Sequence, residues 1–193
     1  MSSKEAILSR IRAGIGEHYN KPALDDIQAT VYDDPLAAFI ASSETAGSKV
    51  VKLGTGADID TTIRELFPEA RVIASNLPEV HIATLNPDTV GSAQDLNGTD
   101  VGIIRGSFGV AENGCIWIPQ AMKEKAVCFI SENLVILLNK SAIVNNMHEA
   151  YLLADPGEYG YGTFISGPSK TADIAQTLVM GAQAARSVTI ILL

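Results

Sequence analysis

Three stretches of this chain hold residue types whose spacing can support chemistry. The first is Phe164-Ile-Ser-Gly-Pro-Ser-Lys-Thr-Ala-Asp-Ile174. An apolar, strand-like burst over Phe164–Ser166 ends in Gly167-Pro168-Ser169. The pattern from Thr171 to Met180 then reads as a helix closed by Gly181. A strand feeding a helix start places free N–H groups at the carboxyl end of a sheet, which is a ready anion site. Ser169 or Thr171 would cap that helix, Lys170 would add positive charge, and Asp173 in the first turn would suit the helix dipole. The plainer alternative is a capped turn without a ligand, since capping of this kind is common. The segment is not a P-loop, because G-x-x-x-x-G-K-[ST] is absent.

The second stretch is Gly106-Ser-Phe-Gly-Val-Ala-Glu-Asn-Gly-Cys115. Glu112 stands between an apolar strand and an Asn-Gly turn. A carboxylate beside glycines can act as nucleophile or general base, because the glycines let a substrate approach. The alternative is a hairpin-edge residue next to a tight Asn113-Gly114 turn. The third stretch is Gly54-Thr55-Gly56-Ala57-Asp58, a Gly-rich turn leading towards a helix. G-x-G alone is a weak phosphate signal, and the third glycine of a dinucleotide fingerprint is missing.

Other chemistry finds less support. His18, His81 and His148 show no metal-ligand spacing, and position 152 is Leu, so H-E-x-x-H is absent. Ser107, Ser166 and Ser169 lie in no G-x-S-x-G elbow. The two cysteines, Cys115 and Cys128, sit among apolar residues and form no C-x-x-C, so they read as buried, reduced thiols and not as cluster ligands. No metal site is expected.

The elements that must hold these residues follow from periodicity. Ile7, Ile11 and Ile15 share one helical face, and Ser2-x-x-Glu5 reads as a capping box, so residues 1–18 are expected as a helix packed on the domain. Asp34 caps a helix from Pro35 to about Thr45, ended by Gly47. Lys49–Leu53 reads as a buried strand, Asp60–Phe67 as a short helix and Arg71–Ala74 as a strand. Residues 75–100 are turn-rich. Val101–Ile118, with glycines at 102, 106, 109 and 114, reads as two or three short strands. Ala126–Ile130 and Leu134–Leu138 read as strands, Ala142–Ala154 as a helix, and Ser187–Leu193 as a final strand.

Strands alternating with helices imply α/β. The run Val188-Thr-Ile-Ile-Leu-Leu193 is apolar without alternation, which marks strands covered on both faces and a largely parallel sheet. The 193 residues suit one domain, 1–193, since a domain takes roughly 100–200 residues. Hydrophobic residues make up 47% and aromatics 6%, so the core is aliphatic. A formal charge of −8 argues against nucleic-acid or anionic-membrane partners, which need a basic face. No apolar run approaches the ~20 residues of a membrane span, and the first residues lack a signal-peptide h-region, so a cytoplasmic location is expected.

At residues 164–174, then Gly181, Arg186 and a closing apolar strand, the chain resembles the C-terminal signature of the LUD domain family. That family includes the C-type subunits of bacterial lactate-utilisation operons. Gly106–Ile118 resembles the family's central segment, in which an apolar-Ala-Glu motif precedes a Gly and a strand, and Leu134–Leu138 matches its next strand. The resemblance covers most of the chain. It implies a Rossmann-like α/β fold, with a mostly parallel sheet flanked by helices, like that of sugar-phosphate isomerases and CoA transferases. It also implies a role beside two iron–sulfur subunits that oxidise L-lactate to pyruvate, with the clusters held by those partners and no cofactor in this chain. Carried over by position, Glu112 is the motif carboxylate, Gly167, Ser169, Lys170 and Thr171 the motif loop for an anion, and Arg186 the basic residue before the last strand. The two regions are expected to converge on one pocket. The chain departs from the family pattern at Asn113 and Cys115, where Thr is usual in both places. It departs again at Gln183, Ala184 and Ala185, where His-Gly-Pro is usual. The alternative function is a stand-alone enzyme or sensor for a small anionic metabolite, a phosphorylated sugar or CoA ester.

Overall fold

The computed structural model of the chain describes residues 3–16, 19–20, 27–54, 56–174 and 177–193, with side chains described outside 172–178. Ser2, His18 and Thr55 of the expectations above lie outside the described residues.

The centre is a five-stranded parallel sheet. Its strands are β1 (Lys49–Lys52), β2 (Ile73–Ala74), β3 (Val101–Arg105), β6 (Asn133–Leu138) and β11 (Ser187–Leu192), in the order β1-β11-β6-β3-β2. Every pairing in it is parallel; Val135, for example, lies between Ile103 and Thr189. A second sheet, β7-β4-β5-β8, is built from β4 (Phe108–Val110), β5 (Ile116–Pro119), β7 (Ile143–Val144) and β8 (Gly162–Ile165). Its β4–β5 and β5–β8 pairs are antiparallel.

Both faces of the parallel sheet are covered, which is why its strands are apolar throughout. Leu134, Ile136 and Leu138 of β6 and Val188, Ile190 and Leu192 of β11 face one core. Phe39 of α2 (Pro35–Thr45), Val127 and Cys128 of α4 (Val127–Ile130), and Ile116 and Ile118 of β5 complete it. On the other face, Val101, Ile103, Val135, Leu137 and Ile191 pack with Ile63 of α3 (Ile59–Leu66). A third core sits between the second sheet and α5 (Met147–Leu153), where Phe108, Val110, Cys115 and Trp117 meet Ala150. α2 forms where expected: Asp34 Oδ1 accepts from Ala37 N at 3.0 Å and Pro35 takes the first helical position. The first helix, α1, spans Ser3–Gly14 and buries none of its residues, unlike the packed 1–18 helix expected.

Three expectations are corrected. The run Ala126–Ile130 is not a strand but contains α4, closed by Ile130 N to Ala126 O at 2.8 Å. Four or five apolar residues fit either state, and tertiary packing decided it. Ala142–Ala154 is not one helix. Ile143–Val144 pair with β4, and α5 starts only after Asn146, whose Oδ1 accepts from Glu149 N at 3.0 Å. Thr171–Met180 is not a helix at all. Lys170–Ile174 (β9) and Thr177–Met180 (β10) form an antiparallel hairpin, with Val179 opposite Thr171 and Met180 opposite Lys170. The sequence carries both a helical period and β-branched residues, and strand pairing took the backbone hydrogen bonds.

Candidate functional site

Glu112 lies in the five-residue connection between β4 and β5. This connection is held against α2: Ser42 Oγ donates to Ala111 O at 2.8 Å and Ser43 Oγ to Gly114 O at 3.3 Å. Gly114 has φ +68°, and a Cβ there would fall 2.5 Å from Ser43 N, so the close approach to the helix requires glycine. Glu112 itself is exposed. Its N–H donates to Asn145 O at 3.0 Å, and its Oε2 accepts from Met147 N, the first residue of α5, at 2.9 Å. The carboxylate therefore faces a helix N-terminus, where negative charge is stabilised. A cavity of about 350 Å³ adjoins it, lined by Ala41, Ser42, Thr45, Ala46 and Asn113.

The signature loop follows β8 and closes on the C-cap of the same helix, α2, at Ala46. Ser166 Oγ donates to Asn113 O at 3.1 Å. Gly167 has φ +72°, and a Cβ on it would sit 2.3 Å from Ala46 O. Lys170 Nζ donates to that same carbonyl at 2.6 Å. The expected helix N-terminus is thus replaced by a helix C-terminus: the loop meets the carbonyl-rich, negative end of α2. Thr171 lies in the β9–β10 hairpin, opposite Val179, and not at a helix start.

Ser169 ties the loop to the entry of β11. Its N–H donates to Ala185 O at 2.9 Å, its C=O accepts from Gly181 N at 3.0 Å, and its Oγ accepts from Gln183 N at 3.4 Å. A cleft of about 390 Å³ opens between Gly167, Ser169 and Lys170 on one side and Phe129, Gln183 and Ala184 on the other. A second space of about 510 Å³ continues past Phe129 and Gln183 to Arg186, whose Nη1 is 3.4 Å from Glu132 Oε1. That pair is exposed on both sides, so an incoming anion has little to displace. Glu132 and Arg186 immediately precede β6 and β11, which places this cleft at the amino edge of the parallel sheet. Ligands of open α/β sheets usually bind at the carboxyl edge, where this signature had been expected to act.

Gly167, Ser169 and Lys170 therefore share one cleft and Arg186 lines its extension, whereas Glu112 stands apart, across α2's last turn, with Ala46 between Glu112's cavity and Lys170. Residues 36–193 match the family model described as the LUD domain. The chain belongs to the LUD domain family. A solved LUD-type structure, a DUF162 family protein from Deinococcus radiodurans, superimposes with a TM-score of 0.65 at 15% identity, over 85% of this chain and 99% of that one. Likeness at that identity shows the fold. No curated protein matches the chain.

The carboxyl edge of this LUD domain carries a constellation that sequence reasoning missed. Asp60, in the first turn of α3, accepts from both the backbone N–H of His81 and its ring Nδ1, each at 3.1 Å. Such a pair orients the imidazole and leaves Nε2 for proton exchange. Arg105, which ends β3, pairs with Glu79 close by in sequence to His81. In the sequence Asp60 only opens a short helix and His81 lies in the turn-rich 75–100 stretch, and no local signal links positions 21 apart. At the start of α3 the chain supplies its own acceptor for the first turn. Asp58 caps that helix itself, accepting from Thr61 N and Thr61 Oγ1 at 2.8 Å each, and these bonds hold its carboxyl below the usual value.

The thiols are buried, as expected, and lie in different cores. Burial pushes Cys115 up to about 11 and Cys128 up to about 12. Among the described residues no group of three or more His, Cys, Asp or Glu is placed to hold a metal ion, and no helix is long and apolar enough to cross a membrane.

Proposed function

We propose that this LUD-domain protein is an accessory subunit of an iron–sulfur complex that oxidises L-lactate to pyruvate. The observation that carries the reading is the family match across residues 36–193. Oxidation of lactate releases two electrons and two protons, and clusters that accept electrons singly need sets of thiolate ligands. The two thiols here are protonated at neutral pH and sit in separate cores, which supports a division of labour in which partner subunits carry the clusters. The test is an anaerobic pull-down of the tagged protein from its native host, with the eluate assayed for lactate-dependent dye reduction. Recovery of iron–sulfur partners with that activity supports the reading. A partnerless, inactive eluate sinks it.

The cleft at Ser169, Lys170 and Arg186 favours a second reading, a stand-alone enzyme or sensor for a small anionic metabolite such as a phosphorylated sugar or a CoA ester. Gln183 and the backbone of the 181–185 turn add polar partners along that cleft. A thermal-shift screen of the isolated protein with lactate, pyruvate, ribose 5-phosphate and CoA separates the two. A ligand-induced rise in Tm that Arg186→Ala abolishes supports a binding pocket here, and no shift with any of the four removes it.

A further inference from the structure

Two apolar surfaces of this protein are uncovered, and their charges are opposite. On α1, Ile7 and Ile11 stand one turn apart on one exposed face, and Ile15 follows just past the helix end; Ile11 is 57% exposed. This helix carries Lys4, Arg10 and Arg12 against Glu5, a basic segment in a chain of net charge −8. On α5, Ala150 packs inward while Tyr151, Leu152 and Leu153 face out, and Leu152 is 87% exposed. Its rim is acidic: Asp155 and Glu158 follow the helix, and Glu112 sits at its start.

We infer that the α1 stripe of one copy docks on the α5 face of a second copy, giving a reciprocal dimer. Charge selects the pairing. Contact between two α5 faces would oppose acids to acids, and contact between two α1 stripes would oppose bases to bases, whereas α1 on α5 matches them. Apolar area supplies the driving force, since a twelve-residue helix is marginal alone in water. Among the described residues neither surface covers the other, and a second copy offers each its matching cover. The arm is rooted where this demands. Asn146, the cap of α5, donates to Thr30 O at 2.9 Å, and Tyr32 N donates to Asn145 Oδ1 at 3.0 Å. Each arm therefore leaves beside its own α5, and a two-fold axis between the α5 faces lets both arms cross. The resulting contact is isologous, with each copy giving and receiving the same helix.

Light scattering with size-exclusion chromatography on the full chain tests this. The expected result is a dimer whose dissociation constant rises at least about tenfold in Ile11→Glu and in Leu152→Glu, as for a central apolar anchor. Both side chains are exposed, so the domain keeps its fold. A second measurement mixes two single variants, Ile11→Cys and Leu152→Cys, under mild oxidation. A covalent dimer from the mixture, and none from Ile11→Cys mixed with Glu65→Cys, is expected. Three results overturn the inference: a monomer at every concentration, a dimer indifferent to both glutamates, or a covalent dimer that forms as readily with Glu65→Cys as with Leu152→Cys.

Discussion

Lys170 Nζ and the carbonyl oxygen of Ala46 lie 2.6 Å apart, so the lysine of the family signature closes the C-terminus of α2. A cation there satisfies an orphan carbonyl and opposes the negative end of the helix dipole. Lys170→Met keeps the stem and removes the charge. It is expected to lower unfolding free energy by roughly 0.5–1 kcal/mol in urea titrations, with Lys170→Arg recovering part of the loss. An unchanged midpoint in Lys170→Met would mean that the lysine serves a ligand rather than the helix.

Gly167 and Gly157 have nearly the same backbone, φ +72° and +70°, but different surroundings. A Cβ at 167 meets Ala46 O at 2.3 Å, while at 157 nothing lies within 4 Å. Gly157→Ala is expected to cost about 1 kcal/mol, the conformational term alone. Gly167→Ala adds a backbone clash and is expected to cost at least about 2–3 kcal/mol. Equal costs in chemical denaturation would show that the loop yields freely around Ala46.

Glu112 separates capping from chemistry by the size of its effects. Glu112→Gln keeps an acceptor for Met147 N–H, and its stability is expected to change by less than about 0.5 kcal/mol, whereas Glu112→Ala costs about 1 kcal/mol. If the carboxylate does chemistry, Glu112→Gln also loses lactate-dependent dye reduction in the recovered complex. Unchanged activity and ligand binding in Glu112→Gln would leave it a helix cap only.

Asp100 gives the acid side of the stability profile a definite sign. Its Oδ2 accepts from Val72 N and Arg71 N, each at 2.8 Å, and these bonds hold its carboxyl below its ordinary value of 3.8. The folded carboxyl holds its proton less tightly than the unfolded one. The stabilisation is therefore complete well above 3.8 and is lost as pH falls through the lower folded value. Asp100→Asn is expected to flatten the decline in Tm below about pH 4, and an identical acid limb in variant and parent would contradict it.

The thiols set the alkaline side. Cys115 and Cys128 are raised from 9.0 to about 11 and about 12, so the unfolded chain ionises first. Their contribution is fully present below pH 9 and is lost as pH rises towards the folded values. At pH 8 a chromogenic disulfide reagent is expected to find two reactive thiols in denaturant and almost none in the native protein. Fast native labelling would place at least one thiol at the surface.

What could be read from the chain alone was whatever local chemistry decides. The apolar runs of β6 and β11 named a sheet buried on both faces, Asp34-Pro35 announced α2, and the residues of 164–174 pointed to the LUD family. Tertiary structure decided the rest, because the competing local states were close in energy or the partners distant in sequence. Residues 171–180 fit a helix as well as a hairpin, and pairing between β9 and β10 settled it. Glu112 and Lys170 approach α2's last turn from segments 58 residues apart, and Asp60 meets His81 across a loop. The signature read from the sequence as the start of a helix. In the fold it grips the end of another one, because the carbonyl it needed, Ala46 O, is 124 residues away along the chain.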